Sequence, residues 1–212
     1  MQEIVKDAEK EQAMIEASLK LFGRKGYAAT KMEEIAKEAH VSKGLLFHYF
    51  GSKTNLYLAT YEYARQFFYQ LIQPEIWASA KDFSTMVEQS MRYKLGLQIQ
   101  HPLEFHFLFS CMGEIQQLPD VIKGELAEKM QEEYQVTLQL ISPVLERMKI
   151  KEPYTREDVL RVLYFVVQGE TEAIQREMSQ HPEWKTLEQL EPMVKRMKTS
   201  LTLVQNGFLA EN

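Results

Sequence analysis

The protein has 212 residues, of which 45% are apolar and 26% are charged. These proportions are typical of a globular protein and exclude disordered and collagen-like chains. No apolar stretch approaches the roughly 20 residues that a membrane-spanning helix needs, and residues 1–16 lack the apolar segment of a secretory signal peptide. A single cysteine, Cys111, excludes an internal disulfide and a cysteine-based metal site, so we expect a cytoplasmic protein with Cys111 in its core.

The charge of the chain is unevenly distributed. The formal net charge is −5, yet residues 20–53 contain seven lysines or arginines against three glutamates, a local surplus of four positive charges. A basic segment on an acidic chain predicts that any polyanion binds near the N-terminal end.

The first helix is predicted from helical spacing of apolar residues. Ile15, Leu19 and Phe22 recur at positions i, i+4 and i+7, which places them on one face of a helix. Gly26 is expected to end this helix in a left-handed conformation.

Two short helices are predicted next. Thr30 and Glu33 have the spacing of a capping box, which begins a helix that ends near His40. Ser42 then caps a helix that runs to Phe50. Two short helices separated by three or four residues fit a helix-turn-helix, with the second as the recognition helix.

The residues of this segment resemble the TetR family of bacterial transcriptional regulators. The match covers residues 13–56 without gaps. It is carried by Ala17-Ser18-Leu19-Lys20-Leu21-Phe22, Gly26-Tyr27, Thr30, Ile35-Ala36, Ala39, Val41-Ser42-Lys43-Gly44, Phe47, Tyr49-Phe50, Ser52-Lys53 and Leu56.

The resemblance implies that the helix from Ser42 to Phe50 enters the major groove of double-stranded DNA. Phe47 departs from the tyrosine common at its position in the family and is interpreted as a packing residue. The positions where the family contacts bases or phosphates are Thr30, Ser42, Lys43, Gly44, Leu45, His48, Tyr49 and Lys53.

The rest of the chain predicts longer helices. After one from Lys53 to Gln73, they span residues 83–100, 103–112, 121–148, 156–178 and 186–206. The apolar alternation within 103–109 is strand-like, but in a helical chain we interpret it as a wholly buried helix. The predicted fold is all-α, with a three-helix helix-turn-helix head (1–55) on a larger helical ligand-binding and dimerisation body (56–212).

Apolar residues step by three and four along the last two predicted helices, as in helices that bury one face against another. Such a seam closes either an internal helix pair or a two-fold interface, and the resemblance favours a homodimer. The candidate interface residues are Val162, Val166, Gly169, Ala173, Val194, Met197, Leu201 and Val204.

The body is rich in aromatic and methionine side chains, which form ordinary core more often than a ligand site. In the family this region encloses a small-molecule pocket, which implies an apolar or amphipathic effector. The candidate ligand-binding residues are Phe67, Met86, Tyr93, His106, Phe109, Met112, Tyr134, Tyr164 and Gln168.

The sequence contains no catalytic motif and no metal-ligand spacing among its five histidines, so neither an enzyme nor a metal or cofactor site is expected. The favoured function is a dimeric DNA-binding repressor that a small, largely apolar ligand releases from a palindromic operator. The alternative is a DNA-binding regulator that is constitutive or answers to a protein partner.

Overall fold

A computed structural model describes residues 7–181, 183–184 and 186–208. Among these residues the regular structure is helical, with one 3-10 turn at Ile115–Gln117 and no β-strand. The all-α prediction is therefore confirmed. The helices are α1 (Ala8–Ala29), α2 (Met32–Glu38), α3 (Lys43–Phe50), α4 (Lys53–Leu71), α5 (Glu75–Ala78), α6 (Phe83–Gln100), α7 (Pro102–Glu114), α8 (Asp120–Arg147), α9 (Arg156–Gln180) and α10 (Leu187–Phe208).

From α2 onward the predicted helices are confirmed with bounds that differ by two residues or fewer, whereas α1 is interrupted at Gly26, where it was expected to end, and continues to Ala29. Sequence reasoning missed only α5, a single turn that is too short to show helical periodicity. In the part of the chain that the structure covers, no helix is long and apolar enough to cross a membrane.

The chain divides into two compact units. The first contains residues up to 72 together with 101–132, and the second contains 73–100 together with the residues from 133 onward. Helix α4 therefore belongs to the same unit as α1–α3. The functional boundary predicted after residue 55 stays a prediction.

The first unit has one apolar core, formed where α1 and α4 pack on each other and on α7. Phe22, Leu46, Tyr57 and Phe107 are almost completely buried in it. Helix α7 crosses α1 at Gly23, where a Cβ atom would lie 3.3 Å from backbone atoms of Phe107. The glycine thus permits the close approach of these two helices.

Helix α7 corrects one expectation. It is a helix, as predicted, but it is not wholly buried. Phe107 and Cys111 lie in the core, whereas Leu103 and Met112 are about half exposed. Only one face of this helix contacts α1 and α4, so the apolar residues on the other faces remain accessible.

In the second unit α10 packs against α6 and α9. Val194, Met197 and Leu201 are 2% exposed or less within the single chain. The prediction that these three residues form a dimer interface is therefore wrong, because α10 uses its apolar seam inside the protomer. Ion pairs flank the contact, including one between Arg196 and Glu170 on α9 at 3.2 Å.

Candidate nucleic-acid interface

Helix α3 is held at both ends by its own sequence. The Ser42 hydroxyl accepts a hydrogen bond from the Leu45 backbone N–H at 3.1 Å, as predicted for a capping residue. Gly51 ends the helix with a φ of 72°, a conformation that favours glycine. Ser52 then caps α4 by accepting from the Asn55 N–H at 3.1 Å. The result is a helix of eight residues with fixed ends.

One face of α3 is buried and the other is exposed. Leu46, Tyr49 and Phe50 contact the core of the first unit. The opposite face presents four exposed residues, whereas the half-buried Leu45 packs against the core. The exposed residues are Lys43, Gly44, Phe47 and His48.

Lys43 is exposed but paired. Its ammonium forms an ion pair with Glu33 on α2 and lies 5.6 Å from the centre of the Phe47 ring. The hydrogen bond from Lys43 lowers the pKa of the Glu33 carboxyl, so this carboxylate is ionised at neutral pH. A base or phosphate that binds Lys43 must therefore compete with Glu33.

Phe47 is an exposed residue of α3 that is not among the predicted DNA contacts. Its side chain is 38% exposed and stands one helical turn from Gly44 on the same face. Its interpretation as a packing residue stays a prediction, and within the protein its ring contacts the Lys43 ammonium. The sequence signal for its exposure is its helical spacing, which places it near Gly44 and His48.

Thr30 corrects the predicted capping box. Helix α2 begins after Lys31, whose backbone N–H donates to the Glu34 carboxylate at 3.2 Å. Thr30 is 1% exposed and its hydroxyl donates to the backbone oxygens of Gly26 and Leu21, at 2.7 and 3.1 Å. Its hydroxyl therefore ties down the end of α1, and its predicted DNA contact stays a prediction.

Tyr49 is also placed differently from the expectation of an exposed DNA contact. The residue is 7% exposed, and its hydroxyl accepts a hydrogen bond from the Asp7 backbone N–H at 2.7 Å. The Asp7 carboxylate in turn caps α1 by accepting from the Glu9 N–H at 3.0 Å. Tyr49 thus joins α3 to the start of α1.

Lys53 lies in the first turn of α4 and is partly buried. Its ammonium is 4.4 Å from the centre of the Tyr27 ring and donates to the Ala28 backbone oxygen at 3.3 Å. Burial lowers the pKa of Lys53, and the nearby negative charge of Glu114 opposes that effect. The ammonium is therefore held at a defined place near the end of α1.

The local charge surplus can be assigned to particular residues. Each of the three glutamates in residues 20–53 pairs with a lysine: Glu33 with Lys43, Glu34 with Lys25, and Glu38 with Lys20. The four remaining cations form no ion pair with any residue that the structure describes. These four are Arg24, Lys31, Lys37 and Lys53.

The candidate ligand-binding residues fall in both units. Phe67, His106, Phe109 and Met112 lie in the first unit, and Met86, Tyr93, Tyr134, Tyr164 and Gln168 lie in the second. In the first unit, a half-buried aromatic cluster spans α4 and α7. Its members are Phe67, Phe68, His101, Phe105 and Phe109, with neighbouring ring centres 4.2–5.9 Å apart.

The α9 candidates for the dimer interface share one helical face. Val162 is 44% exposed, and the neighbouring Phe165, which was not predicted, is 66% exposed. Gly169 is exposed, and Val166, Ala173 and, on α10, Val204 are half-buried.

Within residues 7–181, 183–184 and 186–208, no three His, Cys, Asp or Glu side chains are grouped closely enough to hold a metal ion.

Comparisons with known proteins agree with this geometry. Residues 14–60 match the family model of bacterial regulatory proteins of the tetR family. The chain is 31% identical over 161 residues to the HTH-type transcriptional regulator YuxN of Bacillus subtilis, covering 76% of this chain and 52% of YuxN. It is 31% identical over 120 residues to the regulator RutR of Escherichia coli K12, covering 55% of each. The chain thus spans about half the length of these curated relatives.

Solved structures share the fold over nearly the whole chain. A putative tetR family regulator from Shewanella sp. PV-4 matches with a TM-score of 0.62 and 24% identity, covering 95% of this chain and 99% of that one. NalD, the secondary repressor of the MexAB-OprM multidrug efflux pump in Pseudomonas aeruginosa, matches with a TM-score of 0.62 and 17% identity, covering 97% and 100%. Residues 14–60 therefore resemble the tetR family of bacterial regulatory proteins, and the chain shares the fold of these solved structures.

Proposed function

We propose that this protein is a dimeric, sequence-specific DNA-binding regulator that represses transcription from a palindromic operator until a small, largely apolar ligand binds. The observation that carries the proposal is the exposed face of α3, in a segment that also contains four cations without an ion pair among the described residues. Its similarity to transcriptional regulators supports a regulatory protein rather than an enzyme.

The exposed face of α3 has the chemistry that base recognition requires. An α-helix fits the major groove, where each base pair presents a distinct pattern of donors, acceptors and methyl groups. Gly44 lets the helix backbone approach the bases because it has no side chain. Lys43 donates to guanine once it leaves Glu33, Leu45 and Phe47 offer apolar contact to thymine methyl groups, and His48 supplies a polar contact.

Phosphate contacts orient the helix in the groove. Ser42 and Lys53 stand at the starts of α3 and α4, where backbone N–H groups and the helix dipole favour an anion. Lys31, exposed at the start of α2, adds a third cation. Such contacts contribute affinity that falls steeply with salt, whereas the α3 face supplies the sequence preference.

The exposed apolar face of α9 supports a homodimer. Val162 and Phe165 are both large and exposed on the same face, and Gly169 permits the close approach of a second helix. Two heads on one palindrome bind far more tightly than one, because the second contact is intramolecular.

The aromatic cluster across α4 and α7 supports ligand gating. An apolar ligand that inserts among these half-buried rings contacts α4 directly, and α4 carries Lys53 in its first turn. A ligand that prefers the displaced position of α4 by about 1–3 kcal/mol lowers operator affinity by the corresponding factor. The likeness in fold to NalD, a repressor, supports repression as the outcome. A protein that acts on bacterial DNA works in the cytoplasm.

The test is selection of bound duplexes from a random DNA library, followed by native mass spectrometry of the purified protein. We expect a palindromic motif and a dimer, with a non-covalent small molecule lost when the motif is bound. Phe165→Asp should give monomers that no longer bind the motif, whereas Val121→Asp, at an exposed apolar position on α8, should not. Failure to enrich any motif would refute sequence-specific binding, and a ligand-free dimer that binds constitutively would refute gating.

A further inference from the structure

The carboxylate of Glu114, at the end of α7, joins three helices of the first unit. Its two oxygens accept hydrogen bonds from the Tyr27 backbone N–H, at 3.0 and 2.8 Å. One of the same oxygens accepts from the Tyr57 hydroxyl on α4 at 2.9 Å. Hydrogen bonds to an ionised acceptor are stronger than neutral ones. Glu114 therefore connects α7 with both α1 and α4.

The backbone of α1 is shaped to receive this carboxylate. Gly26 has a φ of 74° and a ψ of 173°, which interrupts the helix immediately before Tyr27. A Cβ at Gly26 would lie 2.6 Å from a Glu114 oxygen. Glycine is needed here twice, for its positive φ and for the space that Glu114 occupies. The interruption presents the Tyr27 N–H to Glu114 instead of to the preceding turn of α1.

Tyr27 connects Glu114 to the start of α4. Its ring lies under the Lys53 ammonium, and its hydroxyl is 3.0 Å from the Thr54 hydroxyl. The ring also contacts Tyr57, with ring centres 5.2 Å apart. The place of the Lys53 ammonium therefore depends on where Tyr27 is held.

We propose that Glu114 is a positioning residue for DNA binding, which fixes Tyr27 and through it the Lys53 ammonium against a phosphate. The proposal rests on the proposed function of the first unit. It also links the position of α7 to DNA binding. When α7 shifts along α1, Glu114 no longer accepts from the Tyr27 N–H, and the Tyr27 ring no longer holds the Lys53 ammonium in place.

The direction in which one substitution changes the affinity for DNA separates a positioning role from a simple electrostatic effect. Glu114→Gln removes a negative charge, which by itself strengthens binding to DNA. If Glu114 positions Tyr27 and Lys53, the same substitution weakens binding, because an amide offers one acceptor oxygen in place of two. The matched control is Glu125→Gln, which removes one charge from an exposed position on α8 in the same unit.

The experiment compares both variants on the duplex selected by the wild-type protein and on a scrambled duplex of equal length. We expect Glu114→Gln to bind the selected duplex about tenfold more weakly, the loss typical of a hydrogen bond to a charged group. Its binding to the scrambled duplex should weaken by a similar factor relative to Glu125→Gln, because the phosphate contact of Lys53 does not depend on sequence. Equal affinities of the two variants for the selected duplex would overturn the proposal.

A second variant covers the case in which Glu114→Gln fails to fold. Glu114→Asp keeps the charge and shortens the side chain by one methylene, so it too should weaken binding to the selected duplex. Amide exchange at Tyr27 should accelerate in parallel, and unchanged exchange with wild-type affinity would overturn the proposal. If the wild-type protein selects no duplex, the proposed function fails. If it selects one that both Glu114 variants bind normally, only the role of Glu114 fails.

Discussion

Lys53 offers the sharpest test of the docking mode. One lysine that neutralises one phosphate contributes about 0.9 to the slope of log affinity against log salt. Lys53→Ala should therefore reduce the slope by about 0.9 and weaken binding almost equally on all sequences. Between about 50 and about 200 mM salt, the advantage of the wild-type protein over the variant should shrink by roughly 3.5-fold.

The surroundings of Lys53 also set the expected cost in stability. The variant loses a cation–π contact at 4.4 Å, worth about 0.5–1 kcal/mol at a partly exposed site, together with the hydrogen bond to Ala28. The protein should stay folded, with a melting temperature a few degrees lower. Lys53→Met, which keeps the aliphatic stem on the Tyr27 ring, should lower the salt slope to the same extent.

The assay is fluorescence anisotropy of a labelled duplex titrated at several salt concentrations. Lys123→Ala is the matched control, because Lys123 belongs to the same unit but lies on α8, paired with Asp120 at 3.0 Å. The control should keep the wild-type slope. If Lys53→Ala and Lys123→Ala have equal slopes, Lys53 does not contact a phosphate and the docking mode is wrong.

Neighbouring residues of α3 should separate stability from recognition. Leu46→Ala should lower the free energy of unfolding by about 2–5 kcal/mol in urea denaturation, because its side chain is fully buried. Phe47→Ala should change that free energy by less than about 0.5 kcal/mol yet weaken binding to the selected duplex, and normal binding would remove Phe47 from the interface. Hydrogen bonds from Arg65 and Lys129 lower the pKa of Glu62 to about 2. This pKa lies below the ordinary value of a glutamate. The contribution of ionised Glu62 to the free energy of unfolding is therefore complete above about pH 5 and is lost as the pH falls toward 2. Glu62→Gln should lower the free energy of unfolding by about 1 kcal/mol at pH 7, after allowing for solvent screening, and by almost nothing at pH 2. An equal loss of unfolding free energy at both pH values would contradict this reasoning.

Sequence patterns predicted the helices well because helical spacing of apolar residues survives any tertiary arrangement. These patterns did not predict whether an apolar helix face packs inside the protomer or stays exposed for a second protomer. The seam on α10 contains Val194 and Leu201, which are buried inside the protomer, whereas Val162 on α9 remains exposed. Both stripes have the same spacing, so only the three-dimensional packing separates them.

The DNA-binding segment was predicted from residue types, and the errors arose where two hydrogen-bonding roles compete. Thr30 has the residue type and spacing of a helix cap, but the positive φ of Gly26 brings a backbone oxygen to its hydroxyl. Tyr49 was expected at the surface, but its hydroxyl accepts from Asp7, 42 residues away. Contacts of such long sequence separation leave no local signal.

The hydrogen bond between Asp7 and Tyr49 makes the orientation of α3 depend on a residue that precedes α1. Asp7 caps α1 with its side chain and anchors α3 with its backbone N–H, so one residue orients two helices. A truncation that begins at residue 8 would remove both contacts although it deletes no part of α1. For protein engineering, an N-terminal deletion or fusion that displaces Asp7 should therefore disturb α3 as well as the start of α1.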